Sequence, residues 1–370
     1  MPAKASAFVV GALCILVLSI ILWAGLSPFH APENEVRWLT NSNGLAFGTY
    51  GTVLSTGEIQ AARSRSLSVE IWLKSARGWD SGTILALYSR LKPYQFVLHE
   101  SVSDLMIRSR VTENGRNGRL YVGDVFGRAP AVFLTVTMDS QGMRVYQNGL
   151  LSKAFPGFYA AADLRPFRVV LGTEPMDANS WRGQIYGLAL YNTKLDAERV
   201  ASHFQSWKQY GRPTIAEKDR ALAVYCFNER VGSVVRNAVA RGVDLFIPER
   251  FTTVDQVFLK PPRLEYLDGA DTPKNILINV GGFIPLGFCY CAYWACRHSM
   301  RAAALRAIAL GVVVTFTIEI VQAFLPTRQS GVTDLFTNTL GTCLGAALYC
   351  WRPVGMLFEY MLARLFRRGV

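Results

Sequence analysis

From Ala5 to Phe29 the chain carries no charged side chain, and the stretch FVVGALCILVLSIILWAGL within it is apolar almost throughout. A hydrocarbon core about 30 Å thick takes roughly 20 helical residues, so this run is long enough to cross a membrane as one helix. A cleaved signal peptide would have an apolar region of only about 7–15 residues, which favours a retained anchor over residues 1–30 with Lys4 on the cytoplasmic side. Three more such runs lie toward the other end. Asn275–Cys296 and Leu335–Trp351 are uncharged, and Ala307–Pro326 contains the single charge Glu319. A single water-soluble globule is a poor fit to four such segments, and the pattern predicts an α-helical membrane bundle of four transmembrane helices.

Charge placement orients that bundle. Lys and Arg number 39 against 27 Asp and Glu, a net charge of +12. Such an excess suits a nucleic-acid binder or a membrane protein that collects cations on its inner side. Here Arg297, His298, Arg301 and Arg306 separate the second and third apolar runs, and Arg352, Arg364, Arg367 and Arg368 follow the fourth. Both termini are then cytoplasmic, and residues 31–274 are extracytoplasmic. With charged residues at 18% and a mean hydropathy of +0.19, a disordered or nucleic-acid-solvating chain is excluded. The expected setting is a bacterial cytoplasmic membrane, with membrane lipid as a partner, no nucleic acid and no stated oligomeric state. Met356, Leu357, Tyr360, Met361 and Leu365 recur at helical spacing among the tail arginines, giving a basic amphipathic cytoplasmic tail over 353–370.

Between anchor and bundle the period changes to two. Leu67–Lys74, Leu85–Tyr88, Phe96–His99, Leu105–Arg108, Phe133–Met138, Met143–Gln147 and Arg168–Leu171 alternate as strands do, with Asp139–Gly142 and Asn148-Gly149 as turns. Many short strands with regular turns predict an all-β sandwich. Six of the seven cysteines lie in or beside the apolar runs and Cys226 stands alone outside, so the outer domain is held by its core and not by disulfides. Cys289, Cys291 and Cys296 read as small buried apolar side chains in preference to metal ligands.

The order Ser68-Val-Glu-Ile-Trp72, Val132–Asp139, Gly142–Gly149, Trp181–Asn192 and Leu195–Val200 resembles the laminin-G-like, concanavalin-A-like jelly rolls. The resemblance covers about 130 residues; Ala223–Glu229 reads as a further strand and Gly44–Phe47 with Tyr50–Val53 as an edge strand, which extends the expected domain to 34–262. It implies carbohydrate binding, for which Trp79, Tyr94 and Tyr159 are the candidate stacking aromatics. Glycosidases need two carboxylates facing one sugar. No strand offers that pattern here. Calcium occurs in the family, yet Ile185-Tyr186-Gly187 stands where many relatives carry an acidic pair, and Asp139 reads as a turn residue. No metal and no cofactor are expected.

The apolar runs near the C-terminus carry paired polar residues. Asn275 and Asn279 are four apart, Glu319 and Gln322 three apart, Asp334 and Asn338 four apart, so each pair shares one helix face. A carboxylate such as Glu319 costs several kcal/mol in a membrane unless paired or solvated. By the topology above all six lie in the outer half, where they converge on a shallow membrane pocket that Arg328 closes with a planar, bidentate fork for phosphate or carboxylate. Gly281, Gly282, Gly341 and Gly345 read as close-packing positions. Phe283-Ile-Pro-Leu-Gly287 reads as a kink.

Asn275–Gly287, Ile318–Gln322 and Arg328 with Asp334–Gly341 and Gly345 resemble the VanZ family of bacterial membrane proteins, over about 75 residues. Residues 272–352 then form a VanZ-like three-helix bundle to which the anchor adds a fourth helix, with the jelly roll inserted after the anchor. The family's named founder is associated with resistance to teicoplanin, so the resemblance implies an envelope role, with a glycan or glycolipid as partner. Several Asp residues usual between the Arg and the Asn of the last helix are reduced here to Asp334. Three readings follow: a binder of an envelope glycan or lipid-linked headgroup, an intramembrane enzyme with Glu319 and Asp334 as acid and base, and a structural tether for a lectin-like domain.

Overall fold

A computed structural model of the protein describes residues 2–61, 66–76, 81–90, 92–109, 118–127, 131–158, 166–176, 180–262 and 272–367. The chain divides into two compact units, Ala31–Asp255 and a second made of Met1–His30 with Gln256–Val370.

The first unit is a sandwich of two sheets, each of 8 antiparallel strands. One sheet runs β1 (Val36–Trp38), β2 (Leu45–Phe47), β13 (Gly183–Tyr191), β4 (Leu67–Ser75), β9 (Val132–Asp139), β10 (Gly142–Gln147) and β11 (Leu150–Pro156), with β14 (Ala221–Tyr225) also paired to β13. The other runs β15 (Val234–Val235), β16 (Leu245–Phe246), β3 (Val53–Ser55), β12 (Arg168–Leu171), β5 (Ser81–Ser89), β6 (Lys92–Ser101), β7 (Asp104–Ser109) and β8 (Gly118–Val122). The alternation in the sequence determines which residues face inward. Leu67, Val69, Ile71 and Leu73 of β4 and Leu134, Val136 and Met138 of β9 enter the shared core with Leu85, Leu87, Phe96, Leu98 and Ile107 from the facing sheet. Gly44–Phe47 and Tyr50–Val53 do not make one edge strand. β2 lies between β1 and β13, and β3 lies between β16 and β12 in the opposite sheet. The Asn148-Gly149 turn joins β10 to β11 with both residues at positive φ, 50° and 82°, a conformation that Asn and Gly tolerate best.

The residues of β4, β9 and β13 that point away from the core are covered by the helix α2 (Ala197–Tyr210), whose Val200 and Trp207 pack on Phe133, Tyr146 and Tyr191. Asp196 caps it by accepting a hydrogen bond from the Arg199 N–H at 2.8 Å. Beneath it Glu70 is 0% exposed. Its carboxylate accepts from His203 Nδ1 at 2.8 Å, Tyr191 OH at 2.8 Å and Trp207 Nε1 at 3.1 Å. A buried charge is held only where donors surround it, so this network pins helix to sheet.

The second unit consists of the helices α1 (Pro2–Leu26), α3 (Thr272–Ala295), α4 (Met300–Gln322), α5 (Val332–Cys350) and α6 (Arg352–Arg367). Among the described residues three of them, α1, α3 and α4, are long and apolar enough to cross a membrane by length and composition. The fourth apolar run, α5, falls outside that set. Asp334, Asn338 and four threonines lower its hydropathy.

A side chain on Gly341 or Gly345 of α5 would meet α3: an added Cβ would lie 2.3 Å from Val280 O or 2.0 Å from Ile284 O, respectively. Both contacts advance by four residues together, so α3 and α5 are parallel. Gly281 and Gly282 differ from that expectation. An added Cβ there meets nothing within 4 Å, because both point away from the neighbouring helices. Against α4, Gly311 faces Thr342 and Thr315 faces Asn338, an antiparallel register. Pro285 sits inside α3 without interrupting it.

Candidate functional site

At the end of the bundle where α4 finishes and α5 begins, polar side chains from three helices meet in a ladder. Thr315, Glu319 and Gln322 lie on one face of α4, while Asp334 and Asn338 lie on one face of α5. Asn338 Nδ2 donates to Thr315 Oγ1 at 2.9 Å. One step higher, Glu319 Oε2 accepts the N–H of Gly331, the residue that caps α5, at 2.8 Å. On the other flank, Asn279 Nδ2 of α3 donates to Asp334 Oδ1 at 2.7 Å. Glu319 is 1% exposed. Its charge is placed at the positive end of the α5 dipole, where an orphan backbone donor meets it, and Asp334 occupies the first turn of the same helix. One helix start therefore holds both carboxylates, each already engaged by a different donor.

Three expected members are placed otherwise. Asn275 is exposed, one turn before Asn279. Gln322 Nε2 donates to Gly25 O at 2.8 Å, at the end of α1. Arg328 turns toward α1 as well, donating through one guanidinium nitrogen to Ala24 O at 3.1 Å and to Ser27 O. That one nitrogen meets carbonyls at a helix C-terminus, where a cation is favoured by the dipole.

Two amides in the ladder are half used. Among the described residues the Gln322 carbonyl oxygen has no partner, and one end of the Asn338 amide has none, although Gln322 is 9% and Asn338 5% exposed. For Gln322 the assignment is fixed, since only its NH2 end can donate to the Gly25 carbonyl. An unpaired buried acceptor costs about 1–3 kcal/mol.

Lys260 is absent from the residues that the sequence pattern singles out. Its N–H donates to Ser330 O at 2.8 Å and its carbonyl accepts from Val332 N–H at 3.1 Å, forming a parallel bridge to Gly331. Leu259 N–H adds a bond to Ser330 Oγ at 3.1 Å, and Phe258 packs edge-on against Phe316 of α4. Lys260 is 2% exposed. The segment thus lies over the residue that Glu319 holds. The available signal was a lone cation before Pro261-Pro262, outside any helical period and therefore invisible to a search for shared helix faces.

In the sandwich, Trp79 and Tyr159 lie outside the described residues. Tyr94 lies on β6, and its side chain is likewise outside them. Outward from β5 and β6 a second buried network links Arg108 to Glu174 at 2.8 Å, Glu174 to Thr83 Oγ1 at 3.0 Å and Thr83 to His99 Nδ1 at 3.1 Å. Burial, aided by the charges of Arg108 and Arg119, lowers the His99 pKa to about 4, so the ring is neutral at pH 7. Among the described residues no group of three or more His, Cys, Asp or Glu is placed to hold a metal ion.

Residues 222–357 match the VanZ/LLP1 family model. Residues 47–201 match a laminin-G model described as the concanavalin A-like lectin/glucanases superfamily. The chain therefore joins a VanZ-like domain to a concanavalin-A-like sandwich. None of the curated proteins matches. Among solved structures, a heptameric SAP-like pentraxin from Limulus polyphemus is 14% identical with a TM-score of 0.36, over 58% of this chain and 94% of that one. A protein of Bacteroides ovatus proposed to bind carbohydrate is 12% identical with a TM-score of 0.38, over 59% of this chain and 63% of that one. The ligand-binding domain of botulinum neurotoxin serotype D, solved with N-acetylneuraminic acid, is 15% identical with a TM-score of 0.34, over 49% of this chain and 48% of that one. The chain thus spans about half the length of that toxin domain.

Proposed function

We propose that this membrane protein binds the headgroup of a glycan-bearing envelope lipid at the polar ladder of its VanZ-like bundle, while its concanavalin-A-like domain engages envelope glycan. The observation that carries the reading is the pair of buried, half-used amides, Gln322 and Asn338, beside the two carboxylates at the start of α5. An unpaired Gln carbonyl calls for a donor. Sugar hydroxyls and amides supply donors where a bare phosphate supplies none. Glu319 already accepts from Gly331 and Asp334 from Asn279, which supports recognition over paired acid and base work.

The orientation belongs to the same proposal. With α1 and α4 running one way and α3 and α5 the other, the ladder lies at the bundle end away from Arg297, Arg301, Arg306 and Arg352. By the positive-inside rule that end is the outer one, the termini are cytoplasmic, and α5 is the fourth span.

Native mass spectrometry of the full chain released from its own membrane tests the reading. A saccharide-bearing lipid is expected to accompany the wild type and to fall at least tenfold in Asn338→Leu, with the melting temperature kept. Equal retention by the variant, or a wild type that carries no such lipid, overturns it. A glycopeptide of the teicoplanin class provides the cellular readout: Asn338→Leu is expected to lower tolerance to the level of a strain lacking the protein.

A further inference from the structure

Apart from the bundle, the sandwich has a cleft of about 440 Å³ between the end of α2 and β14, within the range of roughly 300–1,000 Å³ usual for small-molecule sites. Tyr210, the last residue of α2, forms one wall and is 63% exposed. Gly211 then takes a left-handed conformation, φ 65°, with its N–H on Trp207 O at 2.9 Å, and the sharp reversal brings Arg212 and Thr214 to the rim. A hydroxyl pair, Ser206 with Thr214, fastens the returning chain to the helix. The opposite wall is equally fixed: Val224 N–H donates to Asn237 Oδ1 at 3.0 Å, and Ala238 N–H donates to Val224 O at 2.8 Å. Cys226 also lines the cleft.

We infer that this cleft is a saccharide site that selects sugars bearing a carboxylate. Tyr210 offers an exposed ring and Val224 with Ile215 an apolar wall, which together suit the C–H face of a pyranose. Thr214 and the tyrosine hydroxyl provide polar partners for ring hydroxyls. Among the described residues Arg212 is the one charged residue in the lining, so an anionic substituent finds a planar donor fork there. The charge of Arg212 is felt inside the cleft, where it opposes the rise that burial imposes on the Cys226 thiol, while Glu229 adds to that rise. The inference rests on the carbohydrate reading of the sandwich and gives it a place and a sugar class.

The test uses the full chain in lipid nanodiscs and two matched probes, the disaccharide of N-acetylglucosamine with N-acetylmuramic acid and chitobiose, which lacks the lactyl carboxylate. Calorimetric titration is expected to show the acidic disaccharide binding at least tenfold more tightly. Arg212→Gln should abolish that preference, and Tyr210→Ala should weaken both probes at least tenfold. Bound saccharide should slow alkylation of Cys226, followed by peptide-resolved mass spectrometry so that the other six cysteines do not contribute. Both side chains are exposed, so neither substitution removes a core contact. Saccharide binding that ignores both substitutions and leaves Cys226 unprotected overturns the cleft and keeps the carbohydrate reading. A wild type that binds neither probe overturns the cleft and counts against that reading as well.

Discussion

Glu70 in the sandwich and Glu319 in the bundle are both nearly inaccessible, at 0% and 1% exposure, yet their surroundings differ in kind. Around Glu70 the named donors are side chains of fixed direction, a phenol, an indole and an imidazole, and all of them end on its two oxygens. His203 turns its other nitrogen toward Asp219 at 3.6 Å, and Arg199 closes the far side of Asp219. Around Glu319 several of the polar groups reach main chain: Glu319 the cap of α5, Gln322 and Arg328 the carbonyls ending α1. The Gln322 NH2 spent on the end of α1 leaves its carbonyl over. The first arrangement is a pin between elements, and the second joins helix termini around unused hydrogen-bonding capacity.

Removing the pin breaks that comparison most forcefully. Glu70→Ala leaves three buried donors without an acceptor and is expected to cost about 3–5 kcal/mol, the range for breaking a buried charged network. Urea unfolding followed by the fluorescence of buried Trp181 and Trp207 measures it. A loss below about 1 kcal/mol would show that Glu70 is not holding α2 to the sheet, a scale set by an ordinary hydrogen bond.

A pH series gives the next effect. His99 binds a proton less readily in the folded sandwich than at its ordinary 6.5, so the unfolded chain takes up more protons between pH 6.5 and about 4. Its contribution is whole above pH 6.5 and is lost as the pH falls toward 4, on the order of 3 kcal/mol in all. His99→Gln should flatten that slope in urea unfolding, whereas an unchanged slope would place the acid sensitivity elsewhere.

Helix packing gives the smallest change. Gly345→Val drives a side chain into the backbone of α3 and is expected to cost about 1–3 kcal/mol of bundle stability. Gly281→Ala, facing open space, should cost nothing. Thermal scans of the purified chain separate the two, and equal losses would remove the close α3–α5 contact from the account.

The strands and apolar helices were legible because their periods are local. Leu67 to Leu73 alternate whatever they face, and the polar pairs on α3, α4 and α5 share faces by helical spacing alone. The glycines were legible only in part. Small residues mark close approach, yet Gly341 and Gly345 meet a neighbour while Gly281 and Gly282 do not, a distinction set by how the helices are rotated. In the sandwich, the two short segments before β4 looked like one edge strand and went to different sheets, since pairing partners distant in sequence decide a strand's place.

By itself, the sequence determined an apolar helical bundle joined to a β-sandwich, and which helix faces carry Asn279, Glu319, Gln322, Asp334 and Asn338. Only the tertiary structure decided that Arg328 serves the end of α1, that Lys260 is drawn beside Gly331, and that one end of each of two amides stays unpaired among the described residues. Periodicity fixes the direction in which a side chain leaves its own element. What it meets there, and how many of its hydrogen bonds are used, depends on residues up to about 300 positions away that packing brings opposite.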